Sequence, residues 1–159
     1  MLLTGQRRDD FGEIITEVAS ASAQHLEHHI TLDPVTGVLT VTASGSATAS
    51  YTVSCSIRPS PCFQGVKNAS SSSGLTLDFD VTGTPQTYVL NGSLATSDAF
   101  GGGVVIGLVE HTTNTIIVFA TTTVSRTGIL PPGQYSFQFH LGTGADGSVS
   151  GNVSFTLSP

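Results

Sequence analysis

The chain contains no tryptophan, one methionine and two cysteines, and charged residues fill only 10% of its 159 positions. Each scarcity closes a class of function. Arg7, Arg8, Arg58, Lys67 and Arg126 are the only basic residues, and the net charge is −6. Apart from the N-terminal pair they do not cluster, so the basic footprint that a phosphate backbone requires is missing and nucleic acid is excluded as a partner. No apolar run approaches the ~20 residues of a membrane-spanning helix, so no membrane insertion by this segment is expected. Met1-Leu2-Leu3 is too short for the core of an export signal, and Arg7-Arg8 falls on the wrong side of it. Two cysteines lack the second pair that a structural zinc site needs. Sugar-binding surfaces usually present exposed aromatic platforms. Here tryptophan is absent, and Tyr51, Tyr88 and Tyr135 all fall on positions expected to face inward.

What the chain has in quantity is hydroxyl. Serine and threonine together make up about a quarter of it, far above ordinary usage. Over residues 39–57 they alternate without a break. Leu39, Val41, Ala43, Gly45, Ala47, Ala49, Tyr51, Val53, Cys55 and Ile57 occupy the odd positions, and every even position is Ser or Thr. A period of two is the pattern of a β-strand with one dry and one wet face. The run is longer than the ~3–10 residues of most strands, and Gly45 offers a point at which it bends from one sheet into another.

The same alternation recurs at Leu75–Thr82, at Gln134–Leu141 and at Ser148–Leu157, while Val104–Val109 is continuously apolar, as in a strand with neighbours on both sides. Thr115–Val124 is expected as one strand after a short turn at His111–Asn114, and Gly128–Gly133 as a further turn. Asn68–Gly74 has the composition of a soft linker. Residues 11–30 admit two readings. Phe11, Ile14, Ile15, Val18, Leu26 and Ile30 recur at helical spacing, whereas Ala19, Ala21 and Ala23 alternate with Ser20 and Ser22 as a strand would. The turn signal Asp33-Pro34-Val35-Thr36-Gly37 would make a strand here one arm of a hairpin with the 39–57 array. The expected architecture is all-β, an antiparallel β-sandwich or jelly roll of about eight strands, with residues 1–8 as a tail and 9–159 as one domain.

Candidate chemistry is sparse. Pro59 and Pro61 turn the chain so that Cys62 can return to Cys55. In an oxidising compartment a disulfide there would close a short loop and contribute ~2–3 kcal/mol. His25, His28 and His29 form the only histidine cluster. On a helix His25 and His29 would sit one turn apart and could chelate, but on a strand they are ~13 Å apart, too far for one metal ion. Solvated histidines are the expectation, with no metal site assigned. Asp78 and Asp80 share a face, and Asp33, Asp98 and Asp146 lie in turns, but no segment has the density of a calcium loop. No nucleophile elbow and no facing pair of carboxylates is apparent, so neither an enzyme nor a cofactor is expected. Asn68, Asn91 and Asn152 begin Asn-X-Ser sequons and are candidate glycosylation positions in a suitable host.

Several segments taken in order carry a family resemblance. Asp9-Asp10-Phe11-Gly12 leads into an Ala/Ser-alternating strand, followed by Ala43–Ser50, by Leu75–Thr82, by Tyr88–Leu94 and by Gly128-Ile-Leu-Pro-Pro-Gly-Gln-Tyr135 before a final hairpin. From Asp9 onward the chain resembles bacterial exported proteins of the PEP-CTERM-associated type. That resemblance implies a secreted, noncatalytic β-sandwich in a cell-surface or exopolysaccharide setting. The Pro-Glu-Pro motif, membrane helix and basic tail of those proteins do not follow Pro159, so no surface anchor is expected within this segment. The functional expectation is an extracellular or cell-surface module for structural, matrix or adhesive contact, with extracellular polysaccharide or other surface proteins as partners. Two alternatives stand beside it: a self-assembling subunit of a filament, coat or capsid-like jelly roll, and a carbohydrate-binding module.

Overall fold

The computed structural model describes residues 2–8, 14–23, 26–55, 70–97, 103–144 and 147–159, with side chains described over 20–22, 26–50, 70–97, 103–144 and 147–159. These residues form eleven strands, and none of them is helical. The strands are β1 Leu2–Arg8, β2 Ile14–Ala23, β3 Glu27–Leu32, β4 Leu39–Cys55, β5 Ser71–Val81, β6 Gln86–Thr96, β7 Val104–Glu110, β8 Thr115–Ala120, β9 Val124–Leu130, β10 Gly133–Thr143 and β11 Gly147–Ser158. Every pairing is antiparallel. A large sheet runs β1-β2-β4-β11-β6-β9, with β3 also on β4, and a small sheet runs β5-β10-β7-β8. The small sheet stacks on the large one: β10 lies against β4 and β11, β5 against β4 and β2, and β7 against β6. After β4 the chain changes sheets at every connection except the β7–β8 hairpin, which makes the fold an antiparallel sandwich.

The alternation fills the space between the sheets. From the large sheet Val41, Ala43, Ala47, Ala49, Leu90, Val149, Val153, Phe155 and Leu157 are buried, and from the small sheet Ile106, Leu108, Tyr135, Phe137, Phe139 and Leu141 meet them. Four rings link the two layers. Phe137 stacks on Phe155 at 5.1 Å, Phe155 lies 5.6 Å from Phe79, and Phe79 stacks on Tyr135 at 5.7 Å. Such pairs add about 0.5–1.5 kcal/mol each beyond the area they bury. The buried Tyr135 hydroxyl donates to the Pro131 carbonyl at 2.8 Å, which satisfies it and fastens the β9–β10 turn.

β2, the 33–38 turn and β3 with β4 form one long hairpin. β3 pairs with β4 from Leu32↔Leu39 to Glu27↔Ser44, and β2 continues along the same edge from Ala23↔Ala47 to Ile15↔Cys55. Between these two pairings β4 has two residues, Gly45 and Ser46, where the sequence of the partner edge has three, a bulge of one extra residue. The bulge turns Leu26 inward, where it is 7% exposed. An ideal Cβ on Gly45 would lie 3.0 Å from Leu26 Cδ1 and 3.4 Å from Leu141 Cδ1, so only glycine leaves room for Leu26 without displacement. Gly45 thus does not carry β4 into the second sheet. β4 stays in the large sheet throughout, and its glycine receives the bulge. The turn itself is built by Asp33. Its Oδ1 accepts the backbone N–H groups of Val35 at 2.8 Å and Thr36 at 3.3 Å, its own N–H reaches the Val38 carbonyl, and Gly37 adopts φ +71°.

The strand count exceeds the expected eight for identifiable reasons. Residues 11–30 supply β2 and β3, so the strand reading of that stretch holds and the helical one does not. Leu2–Arg8, patternless in the sequence, pairs with β2 as β1 in place of a tail. Thr115–Val124 is interrupted at 121–123, and Gly128–Leu130 belongs to β9, leaving only Pro131 and Pro132 for the turn. Ser71–Gly74, expected to be linker, is the start of β5 and pairs with Thr143–His140.

Candidate functional site

The outward side chains of the large sheet come from strands far apart in sequence, and the register aligns them in rows. Thr42 lies opposite Ser154, Ser154 opposite Asn91, and Asn91 opposite Ser125. The next rows are Ser44–Asn152–Ser93, Ser46–Ser150–Ala95 and Thr40–Thr156–Val89–Thr127. β3 extends three of these rows with Glu27 beside Ser44, His29 beside Thr42 and Thr31 beside Thr40. Strand geometry sets such groups ~4.8 Å apart across the sheet and ~6.8 Å apart along it. Neighbours within rows are hydrogen-bonded: Ser20 with Ser50 at 2.6 Å, Ser22 with Thr48 at 2.7 Å, Ser97 with Ser148 at 2.8 Å, and the Ser125 hydroxyl donating to Asn91 Oδ1 at 2.7 Å.

Two shallow depressions join on this face. One of about 570 Å³ is lined by Glu27, His28, His29, Thr42, Ser44 and Asn152, together with Ala43 and Val153. The other, about 220 Å³, is lined by Ser44, Ser93, Ala95, Ser150 and Asn152 with the backbone of Gly45 and Gly151. Ser44 and Asn152 belong to both, so the two form one open trough across β3, β4, β11 and β6. Its floor is low because Ser44, Ser93, Ala95 and Ser150 are small. Its rim carries an acid, an imidazole and an amide. Each hydroxyl both donates and accepts, and the Asn152 amide does the same from separate atoms. The arrangement suits a hydroxyl-bearing ligand held by many weak hydrogen bonds.

The other sequence candidates fall elsewhere. Cys62, Asn68, His25, Asp98 and Asp146 lie outside the described residues, as does the side chain of Cys55, so the proposed disulfide falls there too. His28 and His29 point to opposite faces of β3, opposite Ala43 and Thr42. Among the described residues no three of His, Cys, Asp and Glu converge as a metal site. Asp33 is committed to its turn, and the backbone N–H of Val35, then the groups of Thr36, hold its carboxyl below the ordinary value. Asp78 and Asp80 share the outer face of β5, where Asp78 Oδ1 is 3.5 Å from His111 Nε2. Glu110 caps the β7–β8 turn. It accepts the N–H groups of Thr112 at 2.9 Å and Thr113 at 2.8 Å and the Thr113 hydroxyl, which together bring its pKa down to about 2.

Asn91 and Asn152 are exposed but sit in interior strands, and their sequons interlock: Asn152 opposes Ser93 and Asn91 opposes Ser154. Tyr88 and Tyr135 are buried, as their positions in the alternation imply. An exposed aromatic exists nonetheless. Phe119, 63% exposed on β8, stands opposite Gly107, with Ile116 of the same strand 62% exposed beside Val109. A bulge after Leu108 places Val118 opposite Leu108 but Ile116 opposite Val109, so both large side chains end on the outer face. Plain alternation assigns them to opposite faces. No protein-family model matches the chain, and no curated protein sequence shows significant similarity to it.

Proposed function

We propose that this protein is a noncatalytic β-sandwich module that acts by surface contact outside the cell, with the outer face of its large sheet as the contact surface and an extracellular polysaccharide as ligand. The reading rests on one observation: residues from β3, β4, β11 and β6 align by register into a single trough of hydroxyl, amide, imidazole and carboxylate groups. A polyhydroxylated polymer offers the complementary donors and acceptors at repeating intervals. Each bond contributes only about 0.5–1.5 kcal/mol net, so affinity comes from the length of polymer engaged. The resemblance to exported PEP-CTERM-associated proteins supports the same setting.

The test is co-sedimentation of the protein with a panel of insoluble neutral and acidic polysaccharides, and titration with soluble ones. Asn152→Ala, at the centre of the trough, should weaken binding about fivefold, corresponding to the loss of ~1 kcal/mol. Wild-type protein that binds no member of the panel, or an Asn152→Ala variant that binds equally well, would refute the reading. A second reading, a self-assembling structural subunit, is favoured by the uncharged edge of the small sheet at β8.

A further inference from the structure

An open sandwich exposes the edges of its sheets, and proteins ordinarily guard such edges with charge, proline or irregularity. Four strands with described side chains stand at edges. β3 carries Glu27 and two histidines, β5 carries Asp78 and Asp80, and β9 carries Arg126 near its middle. The sequence of β1 likewise ends in Arg7-Arg8. β8, Thr-Ile-Ile-Val-Phe-Ala, has neither charge nor proline. β7 is the only strand with which it makes extensive contact among the described residues. Its outer face holds two of the largest exposed apolar side chains, Ile116 at 62% and Phe119 at 63%.

We infer that β8 pairs antiparallel with β8 of a second copy of this chain, joining two small sheets into one continuous sheet. Among the edges with described side chains, β8 is where a second copy meets least opposition. Two copies of a chain with net charge −6 repel each other, and pairing is least opposed where neither presents an acid. A two-fold pairing of β5 would bring the aspartates of both copies together, and one of β9 would bring Arg126 near its own counterpart. At β8 the two-fold axis passes through the uncharged strand. It places the Glu110–Asn114 turn of one copy beside Thr121, Thr122 and Thr123 of the other, away from the second Glu110. Ile116 and Phe119 lie on either side of the strand's midpoint and on the same face, so the two-fold brings Ile116 of each copy next to Phe119 of the other. The new ladder satisfies the outward N–H and C=O groups of both edges.

The pairing is a modest one. A six-residue strand with two apolar side chains per copy covers less than the ~1,200 Å² of a stable interface, so a weak, readily reversible dimer is expected. The inference does not depend on the hydroxyl face, and its test needs no polysaccharide.

Sedimentation velocity from about 1 µM to about 1 mM should show a reversible monomer–dimer equilibrium. Phe119→Lys and Ile116→Lys, each setting a charge against the apolar side chain of the other copy, should weaken it at least about tenfold. Ile129→Lys, at an equally exposed position on β9, should leave it unchanged. In the wild type, amide exchange over residues 115–120 should slow as concentration rises, a readout that requires no variant. A monomer at every concentration, equal sensitivity to Ile129→Lys, or exchange at β8 independent of concentration would overturn the inference.

Discussion

The fit of Leu26 into the space left by Gly45 can be tested by a double-mutant cycle. Leu26 is 7% exposed at the bulge between β2 and β3. Leu26→Ala removes buried methyl groups at a site near the sheet edge that can partly collapse, so the loss should fall near the low end of the core series, ~2–3 kcal/mol. Gly45→Ala in the wild-type background has two opposing effects. It reduces the freedom of the unfolded chain, worth about 0.5–1 kcal/mol. It also sets a Cβ 3.0 Å from Leu26 Cδ1 and 3.4 Å from Leu141 Cδ1, and overpacking of this kind costs ~1–3 kcal/mol. The net expectation is a destabilisation of ~1 kcal/mol. With Leu26 already alanine the nearer obstacle is gone, and the same substitution should become neutral or stabilising by up to ~1 kcal/mol. The two changes should therefore couple by ~1–2 kcal/mol. Urea denaturation of all four proteins, with equal m-values as the check on a common unfolded state, measures the cycle. Additivity to within about 0.5 kcal/mol would refute the account of the bulge.

Three further outcomes are expected. The folded pKa of Glu110 is lowered from 4.5 to about 2, so its contribution is complete above the unfolded value and is lost as pH falls from 4.5 toward 2. The stability difference between wild type and Glu110→Gln should shrink across that window, and a pH-independent difference would contradict the capping role. Tyr135→Phe removes the bond to the Pro131 carbonyl and should cost about 1 kcal/mol by thermal or urea melting. Gly37→Ala places a side chain at φ +71° and should cost ~1 kcal/mol, whereas the same change at Gly103, where an added Cβ meets nothing, should not.

Much of the fold was legible because β4, β5, β10 and β11 keep a period of two in sequence. Over the described side chains their more buried and more exposed positions alternate with it, except at Ser136, which is buried between Tyr135 and Phe137. What was hidden is where that period slips. One extra residue between the two pairings shifts the positions opposite the odd-numbered alanines of β4 from odd numbers in β2 (Ala21↔Ala49, Ala23↔Ala47) to even numbers in β3 (His28↔Ala43), so no single period of two runs through that stretch. The bulge in β8 likewise concealed that Ile116 and Phe119 share a face. For the candidate site, each hydroxyl row was visible strand by strand, but the trough was not. Thr42 meets Ser154, and Ser44 meets Asn152, only through a register between segments about a hundred residues apart, and no local pattern encodes it.

β11 lies between β4 and β6 and, among the described residues, is the strand that joins them. Before it is in place the large sheet is two fragments, β1-β2-β4 with β3 on one side and the β6–β9 pair on the other. Loop closure over so many residues must precede any reward from the contacts, so folding is expected to be slow and to finish in one late step. A chain growing from its N-terminus holds half of the hydroxyl rows on each fragment and presents no trough until residues 147–158 have been added. The continuous trough is therefore made all at once, when β11 joins the two fragments, and any truncation short of β11 would remove it rather than shrink it in proportion.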